Sequence, residues 1–362
     1  MENYPRRITI EITNSCNLSC KMCYLAGFKK KCISDAKPNI FLPIDLYKKI
    51  IDEVSKEDVF TEKKMPFSLV LTGGEAFLHP DISTMLRYAK FKNVGVTVFT
   101  NGTLIDDDLA NQIIDQSLEA LMFSVDGCQE SHDKLRGDGN FKKTFDAINR
   151  IRNLKKKMGR KSPSIFINTL VHNFNIDHLE KVIEMCDGLE IAGLSFSLVQ
   201  WSDPDLTKKA LSELEERLNW KAPLSRMIEA MEHNFYIKES EADQLIARLE
   251  LIRRNHQDKH PFYINFFPDL SSAEIRLWCS NNIYSIDNCQ SVRDWIRVGA
   301  NGDVYPVCAL MPFSWGNIAD KTIGEIVNGN EARIFFNEIR ERGFFYVCHR
   351  CCRRPSWSKC VI

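Results

Sequence analysis

The chain has 362 residues, and its 48 lysines and arginines balance 48 aspartates and glutamates. That balance excludes the broad basic field of a protein that grips nucleic acid through phosphates, and the length allows a sizeable core without disulfide staples. The opening MENYPRRITIEIT lacks the apolar run of a secretory signal, and no stretch approaches about 18 uninterrupted apolar residues. Neither export nor a membrane partner is expected, so the expected location is the cytoplasm. In that reducing compartment the 13 cysteines are metal ligands, catalysts or buried thiols before they are disulfides.

Short β-rich runs alternate with amphipathic segments through the first two hundred residues. Strands are expected over 7–13, 67–72, 95–100, 120–125, 164–171 and 189–197, and helices over 43–54, 82–90, 106–116, 141–157 and 176–186. Six β/α units in succession make an α/β fold with a parallel sheet, either open or closed into a barrel; periodicity alone does not choose. In both cases functional loops lie at the carboxyl ends of strands. The unusual residues fall there: a cysteine cluster after the first strand, GGEAF after the second, TNGT after the third and SVDG after the fourth.

From about 200 to 279 the pattern changes to charged helices, over 208–218 and 239–255, interrupted by the β-like PFYINFFP at 261–268. The last eighty residues carry six cysteines, Cys289, Cys308, Cys348, Cys351, Cys352 and Cys360. The expected organisation is therefore 1–200 as the α/β domain, 201–280 as a helical bridging insertion and 281–362 as a small cysteine-rich module.

The strongest local signal is CNLSCKMC, which sets Cys16, Cys20 and Cys23 directly after the first strand. Three thiolates can hold three irons of a cubane and leave the fourth iron open for a ligand. A zinc knuckle completed by Cys32 is the competing reading. Gly73 and Gly74 let the backbone approach a ligand with no Cβ in the way. In SVDG the Ser124 hydroxyl and Asp126 carboxylate suit ribose hydroxyls and an amino-acid head group. In the C-terminal module, Asn301-Gly302 reads as a hairpin turn before Cys308, and Cys348 and Cys351 form a CxxC that serves an iron–sulfur cluster or a tetrathiolate zinc equally well.

The CxxxCxxC of Cys16, Cys20 and Cys23 resembles that of the radical S-adenosylmethionine superfamily. GGE at Gly73, Gly74 and Glu75, SVDG at Ser124–Gly127 and the following HDKLRG extend the likeness, while Cys289, Cys308, Cys348 and Cys351 resemble a SPASM or twitch module. The resemblance implies a partial (β/α)6 TIM-like barrel followed by that module, a catalytic [4Fe-4S] cluster on Cys16, Cys20 and Cys23, and S-adenosylmethionine chelated to its open iron. It also implies an auxiliary [4Fe-4S] cluster on the four later cysteines.

In such enzymes GGE holds the methionine ammonium, the serine and aspartate of the fourth-strand motif lie by the ribose and carboxylate, and Arg136 would clamp the methionine carboxylate; Asn101 is a further ribose candidate. Reductive cleavage of S-adenosylmethionine then yields a 5′-deoxyadenosyl radical that takes hydrogen from substrate. The implied partners are a reductase such as flavodoxin or ferredoxin and a peptide or sugar-like small-molecule substrate, which would be oxidised, cross-linked or epimerised. The chain departs from the full SPASM pattern after Cys351, which leaves Cys279, Cys352 and Cys360 without an assigned role. Cys32, Cys128 and Cys186 read as ordinary buried or half-buried thiols. His79 reads as a polar loop residue before a proton carrier. The alternative in another functional class is an iron–sulfur electron-transfer or scaffold protein without turnover.

Overall fold

A computed structural model describes residues 4–23, 40–61, 67–116, 118–199, 204–219, 235–256, 258–280, 291–308, 311 and 313–350. Their strands form one ten-stranded sheet in the order β10-β9-β8-β1-β2-β3-β4-β5-β6-β7. The expected six strands are present: β1 (Arg7–Thr13), β2 (Leu69–Gly73), β3 (Thr97–Thr100), β4 (Ala120–Ser124), β5 (Ser164–Val171) and β6 (Gly193–Leu198). Each pairs parallel with the next.

Parallel neighbours need crossovers, and helices supply them. They are α1 (Ile44–Val54), α2 (Ile82–Phe91), α3 (Asp107–Gln116), α4 (Gln129–Arg136) with α5 (Asn140–Lys157), and α6 (Leu179–Cys186). Helix α1 buries Tyr47, Ile50, Ile51 and Val54, a single stripe at helical spacing. That stripe shares the main core with the alternate strand residues Ile8, Ile10 and Ile12, all fully buried. Each such side chain contributes about 1.5–3 kcal/mol by leaving water.

The opposite face of the strands looks into the barrel. There a separate small cluster of Ala120, Met122 and Phe166, with Phe67 and Phe99 against it, plugs the floor. Cys186 is buried in the main core and Cys128 is half-buried, while Cys32 lies outside the described residues.

The sheet continues beyond the expected six strands at both ends. PFYINFFP supplies β7 (Tyr263–Phe267), which pairs parallel with β6. On the other side β8 (Trp295–Val298) pairs parallel with β1, and β9 (Asp303–Pro306) folds back on it antiparallel. The turn between them has Gly302 at φ +86°, a conformation that favours glycine, and Gly299 N–H donates to the Asp303 carbonyl at 2.8 Å. Two-residue β10 (Gly316–Asn317) completes that edge. Further helices are α7 (Pro204–Leu218), α8 (Ala242–Asn255), α9 (Ser272–Cys279), α10 (Ile323–Val327) and α11 (Asn330–Arg342).

Candidate active site

Backbone contact with the end of β2 fixes the loop that carries the first three cysteines. Gly74 N–H donates to the Thr13 carbonyl and Glu75 N–H to the Ser15 carbonyl, both at 2.8 Å. A Cβ on Gly73 would lie 2.0 Å from the Thr13 oxygen, and one on Gly74 would lie 2.0 Å from the Ser15 oxygen. The glycines are thus demanded by the close approach of two chain segments, immediately before Cys16.

Further along the loop, Lys21 N–H donates to the Leu135 carbonyl of α4 at 2.9 Å, and Asn17 Nδ2 to Thr103 Oγ1 at 2.8 Å. Cys16 Sγ accepts from Leu18 N–H at 3.4 Å and from Asn101 Nδ2 at 3.9 Å. Donors to a ligating sulfur are the protein's means of tuning a cluster. Cys20 is buried and Cys16 and Cys23 are half-buried.

Burial pushes the Cys20 thiol up to about 11, against the pull of the Arg136 guanidinium. Among the described residues no three histidine, cysteine, aspartate or glutamate side chains gather as a single metal ion requires. A cubane takes its three thiolates on three separate irons, and an eight-residue loop that carries one buried and two half-buried thiols suits that donor set.

Glu75 is almost completely buried. Its Oε1 accepts from Thr100 Oγ1 at 2.8 Å and Phe77 N–H at 3.2 Å, and Oε2 from Asn101 N–H at 2.7 Å. Burial raises its pKa, and these three donors oppose the shift. The carboxylate therefore ties the end of β2 to the end of β3. Asn101 faces the cysteine loop: beyond its contact with Cys16, Nδ2 donates to Asn17 Oδ1 at 3.0 Å, and Oδ1 accepts from Thr103 N–H at 2.9 Å. His79, after the GGEAF turn, is buried with both ring nitrogens engaged, to the Leu42 carbonyl at 3.0 Å and from Asp81 N–H at 3.1 Å. It latches the turn to the segment after the cysteine loop.

At the end of β4, Asp126 is fully buried and Oδ2 takes Arg136 Nε at 2.6 Å, while Oδ1 accepts Leu170 N–H at 2.9 Å. Desolvation alone would raise the pKa of Asp126; the facing guanidinium outweighs it and holds the carboxyl below its ordinary value. Among the described residues, Arg136 makes its hydrogen bond through Nε alone, and its charge is felt at Cys20 and Cys23. Two buried histidines flank this pair. His132 Nδ1 accepts from Asp126 N–H at 3.3 Å and His172 Nδ1 from Phe174 N–H at 3.1 Å, so each carries its proton on Nε2. Burial keeps both neutral, their pKa values pushed down to about 4. Ser124 ends β4 half-buried.

Of the C-terminal cysteines, Cys308 lies two residues past β9 and Cys348 in a 3-10 turn over Tyr346–Arg350, both buried. Cys289 and Cys351, expected to join them, lie outside the described residues, as do Cys352 and Cys360. Cys279 is buried at the end of α9.

Sequence reasoning missed two features. Arg217, on the buried side of α7, donates to the carbonyls of Glu338 and Gly343 at 2.8 Å each and lies 4.0 Å over the Phe345 ring, which staples the bridging segment to the C-terminal one. Inside the barrel Glu11 pairs with Arg297 at 3.0 Å, and Arg297 lies 4.6 Å over Tyr305. The alternation of RITIEIT carried the signal for Glu11, because a period of two puts that charge on the face opposite Ile8, Ile10 and Ile12.

The sequence profile of the radical SAM superfamily matches residues 10–186, and that of the SPASM iron–sulfur cluster-binding domain matches residues 289–352. Over 350 residues the chain is 27% identical to the AdoMet-dependent heme synthase of Methanosarcina barkeri, covering 94% of this chain and 86% of that one. It is also 27% identical over 188 residues to the sporulation killing factor maturation protein SkfB of Bacillus subtilis, covering 50% of this chain and 40% of the relative. Its fold matches the solved structure of anSMEcpe with bound AdoMet at a TM-score of 0.63 and 20% identity, over 96% of this chain and 89% of that one. These relatives displace the alternative of a carrier without turnover. Cysteines after β1, a parallel barrel and two matching profiles lead to one conclusion: the chain belongs to the radical S-adenosylmethionine superfamily, as an enzyme that uses a [4Fe-4S] cluster and S-adenosylmethionine and carries a C-terminal SPASM module with an auxiliary cluster.

Proposed function

We propose that this enzyme abstracts hydrogen from an unactivated carbon of a peptide or a sugar-like small molecule, leading to oxidation, cross-linking or epimerisation. The observation that carries the reading is the tethering of one cysteine loop to the ends of β2 and β3 and to the helix after β4, so that four strand ends share one site. When bound, the cluster and S-adenosylmethionine supply a 5′-deoxyadenosyl radical, once a reductase such as flavodoxin or ferredoxin has delivered an electron.

The chain's own part is to bind and orient. Cys16, Cys20 and Cys23 hold three irons. Carbonyls of the GGE turn receive the methionine ammonium, and the terminal nitrogens of Arg136 receive its carboxylate as a fork. Asp126 then acts through Arg136, as a positioning residue, and Ser124 faces the ribose. Glu75 and Asn101 hold the loops that frame the pocket. Cys289, Cys308, Cys348 and Cys351 would hold the auxiliary cluster, whose chemistry there would be to accept an electron in the oxidation and cross-linking outcomes. A cytoplasmic location fits this chemistry, and among the described residues no helix is long and apolar enough to cross a membrane.

A second reading, a tetrapyrrole substrate, is favoured by the coverage of the Methanosarcina barkeri heme synthase. The test is to incubate reduced holoenzyme and S-adenosylmethionine with a synthetic peptide library, a cyclitol and an iron porphyrin, following 5′-deoxyadenosine and substrate mass. Nucleoside formed with a peptide or cyclitol, together with a mass loss of two hydrogens for oxidation or cross-linking, or with uptake of one deuterium from D2O for epimerisation, is the expected result. Turnover confined to the porphyrin would replace the first reading by the second.

A further inference from the structure

The wall of the barrel opposite the ion pair is chemically uniform. Strands β2–β7 read LVLTG, TVFT, ALMFS, SIFINTLV, GLSFSL and YINFF, without a single charged residue. Strand register sorts their inward side chains into levels. Met122 pairs with Phe166 at the apolar floor. One level nearer the carboxyl ends, Ser124 pairs with Asn168, Asn168 with Ser195, and Ser195 with Asn265. Four adjacent strands thus place a hydroxyl or amide side by side, about 4.8 Å apart from strand to strand. Ser197 Oγ donates to Asn168 Oδ1 at 2.7 Å, which occupies the amide oxygen and leaves its two N–H donors for another acceptor.

We infer that Asn168, Ser195 and Asn265, the part of this belt beyond the ribose-facing Ser124, form the substrate-recognition surface, and that it selects an uncharged group bearing a hydrogen-bond acceptor oxygen, a hydroxyl or an amide carbonyl. The inference rests on the proposed hydrogen abstraction, which needs its substrate between the apolar floor and the cysteine loop. A carboxylate on this wall would find no cation on β2–β7. Arg297, the cation of β8, is already paired with Glu11 on the neighbouring strand β1, and Arg7 of β1 lies over the Trp295 ring at the opposite end of that strand from the cysteine loop. Anionic substrates are therefore disfavoured by desolvation without compensation, and neutral ones gain paired hydrogen bonds.

The probes are perdeuterated glycerol for the hydroxyl, perdeuterated N-acetylalaninamide for the amide and perdeuterated succinate for the anion. Each is added to reduced holoenzyme with S-adenosylmethionine, and the deuterium-labelled share of the 5′-deoxyadenosine is read by mass. That share is a ratio, independent of how much nucleoside forms. Label is expected from glycerol or the amide, the stronger donor naming the substrate type, and not from succinate. Asn168→Leu, of similar size, should cut the share about five- to tenfold, the worth of one lost hydrogen bond. Ser195→Ala is the milder variant should the first not fold.

Saturation-transfer NMR of the same probes with the unreduced chain reads binding without turnover and should show the same ranking. Equal label from succinate, an unchanged share in both variants, or unlabelled nucleoside with every probe would each overturn the belt as the recognition surface. Absence of any nucleoside would instead count against the radical reading beneath it.

Discussion

Two junctions hold this molecule together, and they are built in opposite ways. The cysteine loop meets the end of β2 by the removal of side chains: Gly73 and Gly74 let backbone touch backbone, with no room for a Cβ. The bridging helix α7 meets the C-terminal segment by the insertion of one: Arg217 reaches the carbonyls of Glu338 and Gly343 and covers the Phe345 ring. The first junction tolerates no added atom. The second depends on a charge whose burial is offset only while every donor is met.

Breaking the first junction has the largest expected effect. Gly74→Ala forces the new methyl into the Ser15 carbonyl and should cost about 4 kcal/mol or more, at the exceptional end for point changes. The expected outcome is low soluble yield and less than half the wild-type iron in the N-terminal cluster. Between the junctions lies the fully buried Asp126 with Arg136. Asp126→Asn leaves the guanidinium without its counter-charge, a loss of about 3 kcal/mol in urea denaturation.

The pH dependence has a definite sign. The folded carboxyl titrates below its ordinary value of about 3.9, so its contribution is fully present above that pH and is lost as pH falls through the folded value. The gap between wild type and Asp126→Asn should therefore be constant near neutrality and shrink below about pH 4.

The second junction is the milder one. Arg217→Met keeps the side-chain volume but forfeits the carbonyl bonds, at a cost of about 2 kcal/mol. It should lower the melting temperature while the N-terminal cluster keeps its iron. Smallest is Thr322→Ala, which removes the capping box of α10, where Thr322 Oγ1 accepts Glu325 N–H at 3.2 Å. About 1 kcal/mol is expected, read as a small shift of the urea midpoint.

The contrast also explains what was legible in the sequence. Glycines at a strand end carry their meaning in their type, and so do cysteines spaced four and three apart. The barrel strands were legible because buried parallel strands are apolar runs, and Ser164–Val171 was read to its ends. Arg217 was not, because in LSELEERL an arginine reads as one more charge on a solvated face; only the docking partner, more than a hundred residues away, makes it a buried one.

The roles of Asp126 and Asn101 needed coordinates for a related reason. Type and position announce a polar strand end, but not that Asp126 is spent on Arg136 or that Asn101 turns to Cys16. PFYINFFP was recognised as β-like, yet its place as β7, and the pairing of β8 with β1, follow from long-range register that no local pattern encodes.

The most direct test of the account is to reconstitute the chain anaerobically and measure iron, sulfide and 5′-deoxyadenosine for wild type and for Cys16→Ala/Cys20→Ala/Cys23→Ala. With two cubanes, wild type should hold about eight irons per chain and form the nucleoside on reduction, while the triple variant keeps about four and forms none. Nucleoside formation by the triple variant, or an iron content that the three substitutions leave unchanged, would contradict the assignment of the catalytic cluster to the loop after β1.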